Sequence, residues 1–125
     1  MKRAILISVL SLIVIALAIL HILPKIYPQK HKVIVEKYSK QYNIDSLLIY
    51  SIIKTESNFK KQAKSKSNAI GLMQIMLSTA EEVEQKEFSE AEIYDEETNI
   101  RIGVKYFKKL LEKYNNYNLA IIAYN

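Results

Sequence analysis

The chain has no cysteine, and only two prolines, two glycines and two histidines among 125 residues. Without cysteine there can be no disulfide, no thiolate zinc site and no lipid carried on a cysteine thiol. Of the histidines, His21 lies inside the longest apolar run, which leaves His31 as the only other imidazole. That supply is too thin for a histidine metal centre, so no metal and no cofactor is expected. Glycine occurs only at Gly71 and Gly103, and no stretch alternates as a strand would. The fold class expected is all-α.

What is abundant is apolar sequence at the front. Ala4 to Leu23 is twenty residues without a charge, preceded by Lys2 and Arg3. Twenty helical residues span about 30 Å, the thickness of a bilayer core. A cleaved signal peptide is the rival reading, with Ala16-Leu17-Ala18 as the small-residue cleavage site. Against cleavage, the run stays apolar through Ile19, Leu20, Ile22 and Leu23. The expected organisation is therefore an uncleaved anchor over 1–23, a juxtamembrane linker over 24–33 opened by Pro24, and one domain over 34–125. Lys25, Lys30 and Lys32 beyond the anchor rival Lys2 and Arg3 before it, so charge alone does not orient the span. The short N-terminus, and any substrate outside the cytoplasm, put the domain on the extracytoplasmic side of the cell membrane in a single-pass arrangement.

The net charge of +5 conceals blocks of opposite sign. Residues 24–80 carry ten lysines against Glu36, Asp45 and Glu56, whereas residues 81–97 carry nine acids against Lys86. Residues 98–125 turn basic again. A basic surface suits an anionic polymer: nucleic acid, lipid head groups or cell wall. Nucleic acid fits least for a membrane-anchored domain facing outward, and no nucleic-acid partner is expected. The acids between Glu81 and Glu97 read as a solvated face.

Helical signals order the rest. Val35, Tyr38 and Tyr42 lie at helical spacing, with Asn43 as the stop. Asp45 is a good N-cap for the next helix. Asn58 to Asn68 is polar and lysine-rich, a loop. Ser78-Thr79-Ala80-Glu81 has the form of a capping box that opens a helix to about Lys86. Phe88 to Asp95 predicts short turns, and Thr98 to Tyr114 the longest helix of the domain, with Ile102, Tyr106, Leu110 and Tyr114 as its buried stripe. Gly103 within it costs roughly 1 kcal/mol against alanine, which implies close helix packing. Asn118 is expected to cap a last segment, Leu119 to Asn125.

One residue breaks the pattern. Ile49, Ile52 and Ile53 follow the i, i+3, i+4 rule, and the next position due on that stripe is Glu56. A carboxylate there loses hydration, which disfavours its charged form and raises its pKa. A raised carboxyl pKa is what a general acid near neutral pH needs. The alternative is an acid at a helix end that simply turns out to water. Downstream, Gly71 allows a close backbone approach, and Gln74 offers both donor and acceptor to a sugar or an amide. Met73 and Met76 are adaptable apolar surfaces, suited to a sugar face or to a core.

The residues Glu56-Ser57-Asn58-Phe59, Ala63-Lys64-Ser65, Asn68 to Gly71, Leu72-Met73-Gln74-Ile75-Met76 and Ser78-Thr79-Ala80 follow one another in a fixed order. Asn99-Ile100, Gly103, Tyr106-Phe107 and Ala123-Tyr124-Asn125 complete it. In these blocks, from about residue 34 to the end, the chain resembles the catalytic domain of the soluble lytic transglycosylases, lysozyme-like enzymes that cleave peptidoglycan. The resemblance implies a lysozyme-like helical fold, Glu56 as the single catalytic acid/base, Ser65, Gln74 and Met76 as glycan contacts, and Tyr124 as a hydroxyl that meets the catalytic carboxyl. Asn68 stands where the family has glycine, and asparagine tolerates the left-handed backbone. Leu77 stands where proline is common. The family continues past Tyr124-Asn125 with Ala-Gly and further helical segments, so the domain is expected to be C-terminally truncated.

The resemblance also implies the chemistry. Most glycosidases use two carboxylates, and no second acid is evidently paired with Glu56. The family route uses one carboxylate and no water, cutting the β-1,4 bond between N-acetylmuramic acid and N-acetylglucosamine to leave a 1,6-anhydro sugar. A hydrolytic muramidase of the same fold and an inactive membrane-anchored glycan-binding module are the alternatives.

Overall fold

The computed structural model describes residues 2–26 and 30–125. Seven helices follow one another: α1 (Lys2–Ile26), α2 (Lys32–Tyr42), α3 (Ser46–Ser57), α4 (Leu77–Glu84), α5 (Glu90–Tyr94), α6 (Glu96–Tyr114) and α7 (Tyr117–Tyr124). Among the described residues there is no strand, only isolated bridges pairing Ile70 with Lys64 and with Ile75 in the α3–α4 connection. The described residues of the domain are all-α, as expected.

Between Ile5 and Ile22 helix α1 is apolar on every side, and no described residue buries it. Its segment Ile5–Ile22 has mean hydropathy 3.0, and none of it is buried. The helix runs to Ile26, past the expected end of the anchor, and α2 starts at Lys32. Of the expected linker, residues 27–29 lie outside the described residues.

In the domain, α6 is the spine, packed against α2, α4, α5 and α7. Its fully buried Ile100, Ile102, Val104 and Phe107 meet Val35 of α2, Ile49 and Ile53 of α3, and Ile93 of α5 in one core. Burying one such side chain contributes about 1.5–3 kcal/mol. Of the expected α6 stripe, Ile102 and Leu110 are buried, Tyr106 is half-buried and Tyr114 is exposed. Gly103 does pack closely, but against a loop side chain rather than a helix. A Cβ there would lie 2.5 Å from Met73 Sδ.

Local signals set most helix ends. Asn43 closes α2 at φ 52°, and the Asp45 carboxylate accepts the Leu47 N–H to open α3. Four starts differ from expectation. Helix α4 begins at Leu77 on Met76, with no side-chain cap, so Ser78 lies inside the helix. The capping box occurs instead at Ser89 and Glu92, which turns the expected acidic turns into the short helix α5. Asp95 caps α6, which starts at Glu96, two residues before Thr98, and Asn116 rather than Asn118 caps α7. In each case the cap used is the one whose following residues reach the core: Ile93, Ile100 and Ala120 are all fully buried.

Candidate active site

Glu56 sits in the last turn of α3, one turn beyond the buried Ile52 and Ile53, and is half-buried. Asn58 ends the helix at φ 50°, and the buried Phe59 at φ 61° turns the chain away. No hydrogen bond or ion pair reaches the Glu56 carboxyl from any described residue. Burial raises its pKa above the ordinary carboxylate range, with no neighbouring carboxylate or cation adding to the effect. The misfit on the apolar stripe is therefore a desolvated, unpaired acid.

Tyr124 comes from the opposite end of the domain. Its ring packs on Tyr106 at 5.5 Å and Phe107 at 6.1 Å between centroids. Its hydroxyl donates to the Met73 carbonyl at 2.9 Å, not to Glu56. Burial holds the phenol pKa well above its usual value, and the charge of Glu56 pushes it further. The phenol thus lies within the field of Glu56, while its proton is committed to a backbone oxygen.

The remaining expected residues lie on the α3–α4 connection. Ser65 closes its own turn: its N–H donates to the Ala69 carbonyl at 2.9 Å, and its Oγ accepts the Ala69 N–H at 3.0 Å. Asn68 takes the left-handed backbone there, at φ 62°. Gln74, at φ 50°, donates from Nε2 to Gly71 O at 2.9 Å and Ala63 O at 3.3 Å. Its amide hydrogens thus serve the loop, and Oε1 remains for a ligand. Met76 is 43% exposed at the start of α4, whereas Met73 is fully buried. Of the two methionines, one is surface and the other is core.

The connection is held by side chains from three helices. Ser57, next to Glu56, donates to Leu72 O at 2.8 Å. Asn99 of α6, 1% exposed, accepts the Met73 N–H at 2.8 Å and donates to Ile70 O at 2.9 Å and Ile93 O at 3.0 Å. Gly71, at φ 78°, makes room for it, since a Cβ would lie 2.4 Å from Asn99 Nδ2. Neither Ser57 nor Asn99 stands out as functional in the sequence reading. The signal was the one that exposed Glu56: Asn99 is polar one turn before Ile102 on the apolar stripe of α6.

The acids between Glu81 and Glu97 are not simply a solvated face. Glu84 pairs with Arg101 and Lys105, Glu90 with Lys64, Glu96 with His31 and Lys61, and Glu97 with Lys37. The acidic block is the counter-charge of the basic blocks on either side. A charged crease of about 470 Å³ lined by Lys61, Asp95, Glu96 and Glu97 holds none of the expected site residues.

Known proteins carry the same pattern. The family described as Transglycosylase SLT domain matches residues 33–125. The chain is 42% identical over 87 residues to the membrane-bound lytic murein transglycosylase E of Buchnera aphidicola subsp. Acyrthosiphon pisum, covering 65% of this chain and 39% of that one. It is 34% identical over 87 residues to a transglycosylase of Enterobacteria phage PRD1, covering 70% of this chain and 31% of the other. Among solved structures, an inactive mutant of the lytic transglycosylase Slt from Pseudomonas aeruginosa superposes with a TM-score of 0.75 at 31% identity, over 79% of this chain and 17% of that one. The 70 kDa soluble lytic transglycosylase of Escherichia coli gives 0.75 at 30% identity, with the same coverage. The chain spans less than half the length of each of these relatives. By the match over most of its length, it belongs to the Transglycosylase SLT domain family.

Proposed function

We propose that residues 34–125 cleave peptidoglycan strands as a lytic transglycosylase, with Glu56 as the single acid/base. The observation that carries this reading is a half-buried glutamate raised in pKa by desolvation alone, with no second carboxylate acting on it. Protonated Glu56 donates to the glycosidic oxygen between N-acetylmuramic acid and N-acetylglucosamine, and the bond to the anomeric carbon breaks. The substrate's N-acetyl group stabilises the positive charge that develops there. The muramoyl C6 hydroxyl attacks that carbon, and Glu56, now a carboxylate, takes its proton. Glu56 ends as it began, and the product is a 1,6-anhydro sugar with no water consumed. Acid–base catalysis of this kind contributes roughly 10²–10⁴-fold.

Ser65, Gln74 Oε1 and Met76 are assigned to the glycan: a hydroxyl, an acceptor and an exposed apolar surface along one connection. Tyr124 supports the connection that carries Gln74 and Met76 by donating to the Met73 carbonyl. Helix α1 anchors the domain in the membrane with the site on the extracytoplasmic side, a reading supported by an apolar surface that the domain leaves bare. Digestion of purified cell wall followed by mass spectrometry tests the reaction. Anhydromuramoyl ends from the parent and none from Glu56→Gln are expected. Ends heavier by one water would identify a hydrolase instead, and an unchanged yield from Glu56→Gln would remove the role given to Glu56.

A further inference from the structure

Residue Met73 is gripped at three points by parts of the chain remote in sequence. Its N–H goes to Asn99 Oδ1 at 2.8 Å and its carbonyl to the Tyr124 hydroxyl at 2.9 Å. Its side chain fills the space left by Gly103, where a Cβ would sit 2.8 Å from Met73 Cβ. The carbonyl one residue earlier is hooked by Ser57, the immediate neighbour of Glu56. The carbonyl of Ile70 accepts from Asn99 Nδ2 and pairs with the Ile75 N–H. Asn99 thus holds the start of this tight turn at Ile70 and its middle at Met73, while the backbone pairing of Ile70 with Ile75 closes it. It does so from inside the core, 1% exposed, with both Nδ2 hydrogens and Oδ1 engaged by backbone groups.

From this geometry we propose that Asn99 is a positioning residue for the active site. It holds the Met73 peptide at the height that lets Gln74 and Met76 face the same glycan unit that Glu56 protonates. This rests on the reading of residues 65–76 as glycan contacts. Two features distinguish the arrangement from ordinary loop fastening. Met73, whose N–H donates to Asn99, also accepts the Tyr124 proton on its carbonyl, so the turn is tied to α6 and α7 through a single residue. And Gly71, forced to φ 78°, gives up its Cβ so that Asn99 can approach.

The test uses the full chain in detergent micelles, in a Glu56→Gln background so that bound glycan persists. Calorimetric titration with a purified tetrasaccharide of two N-acetylglucosaminyl-N-acetylmuramoyl repeats measures affinity well below each variant's melting midpoint. Asn99→Ala is expected to weaken binding about tenfold or more while far-UV circular dichroism stays that of the parent. Val35→Ala, a core truncation in α2, is expected to lower the melting midpoint and leave affinity unchanged. Asn99→Asp keeps an acceptor for the Met73 N–H and is expected to fall between the two, and it serves as the decisive variant if Asn99→Ala does not fold. Parental affinity in the Asn99 variant would overturn the proposal. So would a parallel loss in Val35→Ala, which would reduce the effect to stability. A Glu56→Gln parent that binds no tetrasaccharide would remove the glycan reading itself, and this proposal with it.

Discussion

Glu56 and Glu84 are the same residue type at comparable depth, and they titrate in opposite directions. Glu84 lies between α4 and α6 with its side chain 15% exposed. Burial works to raise its pKa, but hydrogen bonds from Lys105 and Arg101 outweigh it, and the carboxyl ends below its ordinary value. Glu56 meets burial with nothing to offset it and ends above. Depth alone therefore says little about what a carboxylate does. The presence or absence of a cation decides whether a buried acid fastens the fold or holds a proton for transfer.

The comparison breaks hardest at Glu56. Glu56→Gln should lower glycan cleavage by about 10²–10⁴-fold, read as anhydromuramoyl product per unit time. The same change removes a desolvated charge, so the melting midpoint at neutral pH should rise slightly rather than fall. A large drop in that midpoint would mean that Glu56 is a structural acid after all.

Glu84→Gln should do the reverse. It leaves Arg101 and Lys105 facing a neutral amide and should destabilise the domain by about 1–2 kcal/mol in denaturant titrations, with specific activity of the folded protein unchanged. Between these two stands Tyr124→Phe, which leaves the Met73 carbonyl without its donor. A loss of about 1–2 kcal/mol is expected there too, this time with a fall in activity, since the loop carrying Gln74 loosens.

pH separates the pair more gently. The folded-state pKa of Glu84 is depressed, so its contribution is complete above the unfolded carboxylate range and is lost as pH falls through the folded value. The folded-state pKa of Glu56 is raised, so the desolvation penalty is present above the raised value and is relieved as pH falls through it. Activity, which needs protonated Glu56, should decline as pH rises through that same value, and Glu84→Gln should leave this limb in place. A limb that moved with Glu84 would link two regions taken here as independent. The smallest effect is expected at the exposed Lys32–Glu36 pair, 3.7 Å apart on α2. Lys32→Ala should leave both midpoint and activity where they were.

How much of this could be read from the chain follows from distance along it. Asn43, Asp45 and the Ile49, Ile52, Ile53 stripe act within a few residues of themselves, and the structure has them as expected. The capping box was misplaced because Ser78–Glu81 and Ser89–Glu92 carry the same local signal. Only the burial of Ile93 and Ala80 beside their neighbours selects between them. Tyr124 was expected to meet Glu56 directly, whereas its proton goes to Met73, fifty-one residues away. The role of Asn99 is not legible in the chain, because its three partners lie 6 to 29 residues away.

By itself the sequence determined that the chain is helical, that α1 has no polar face, and that an acid occupies an apolar stripe at Glu56. Those are properties of period and composition, and they hold whatever the rest of the chain does. Only the tertiary structure decided that no described cation reaches Glu56 while two reach Glu84, and that Ser57, Asn99 and Tyr124 converge on one turn of backbone. A charge or a carbonyl is satisfied by whatever folding brings within about 3 Å. No spacing in the sequence records which group that will be.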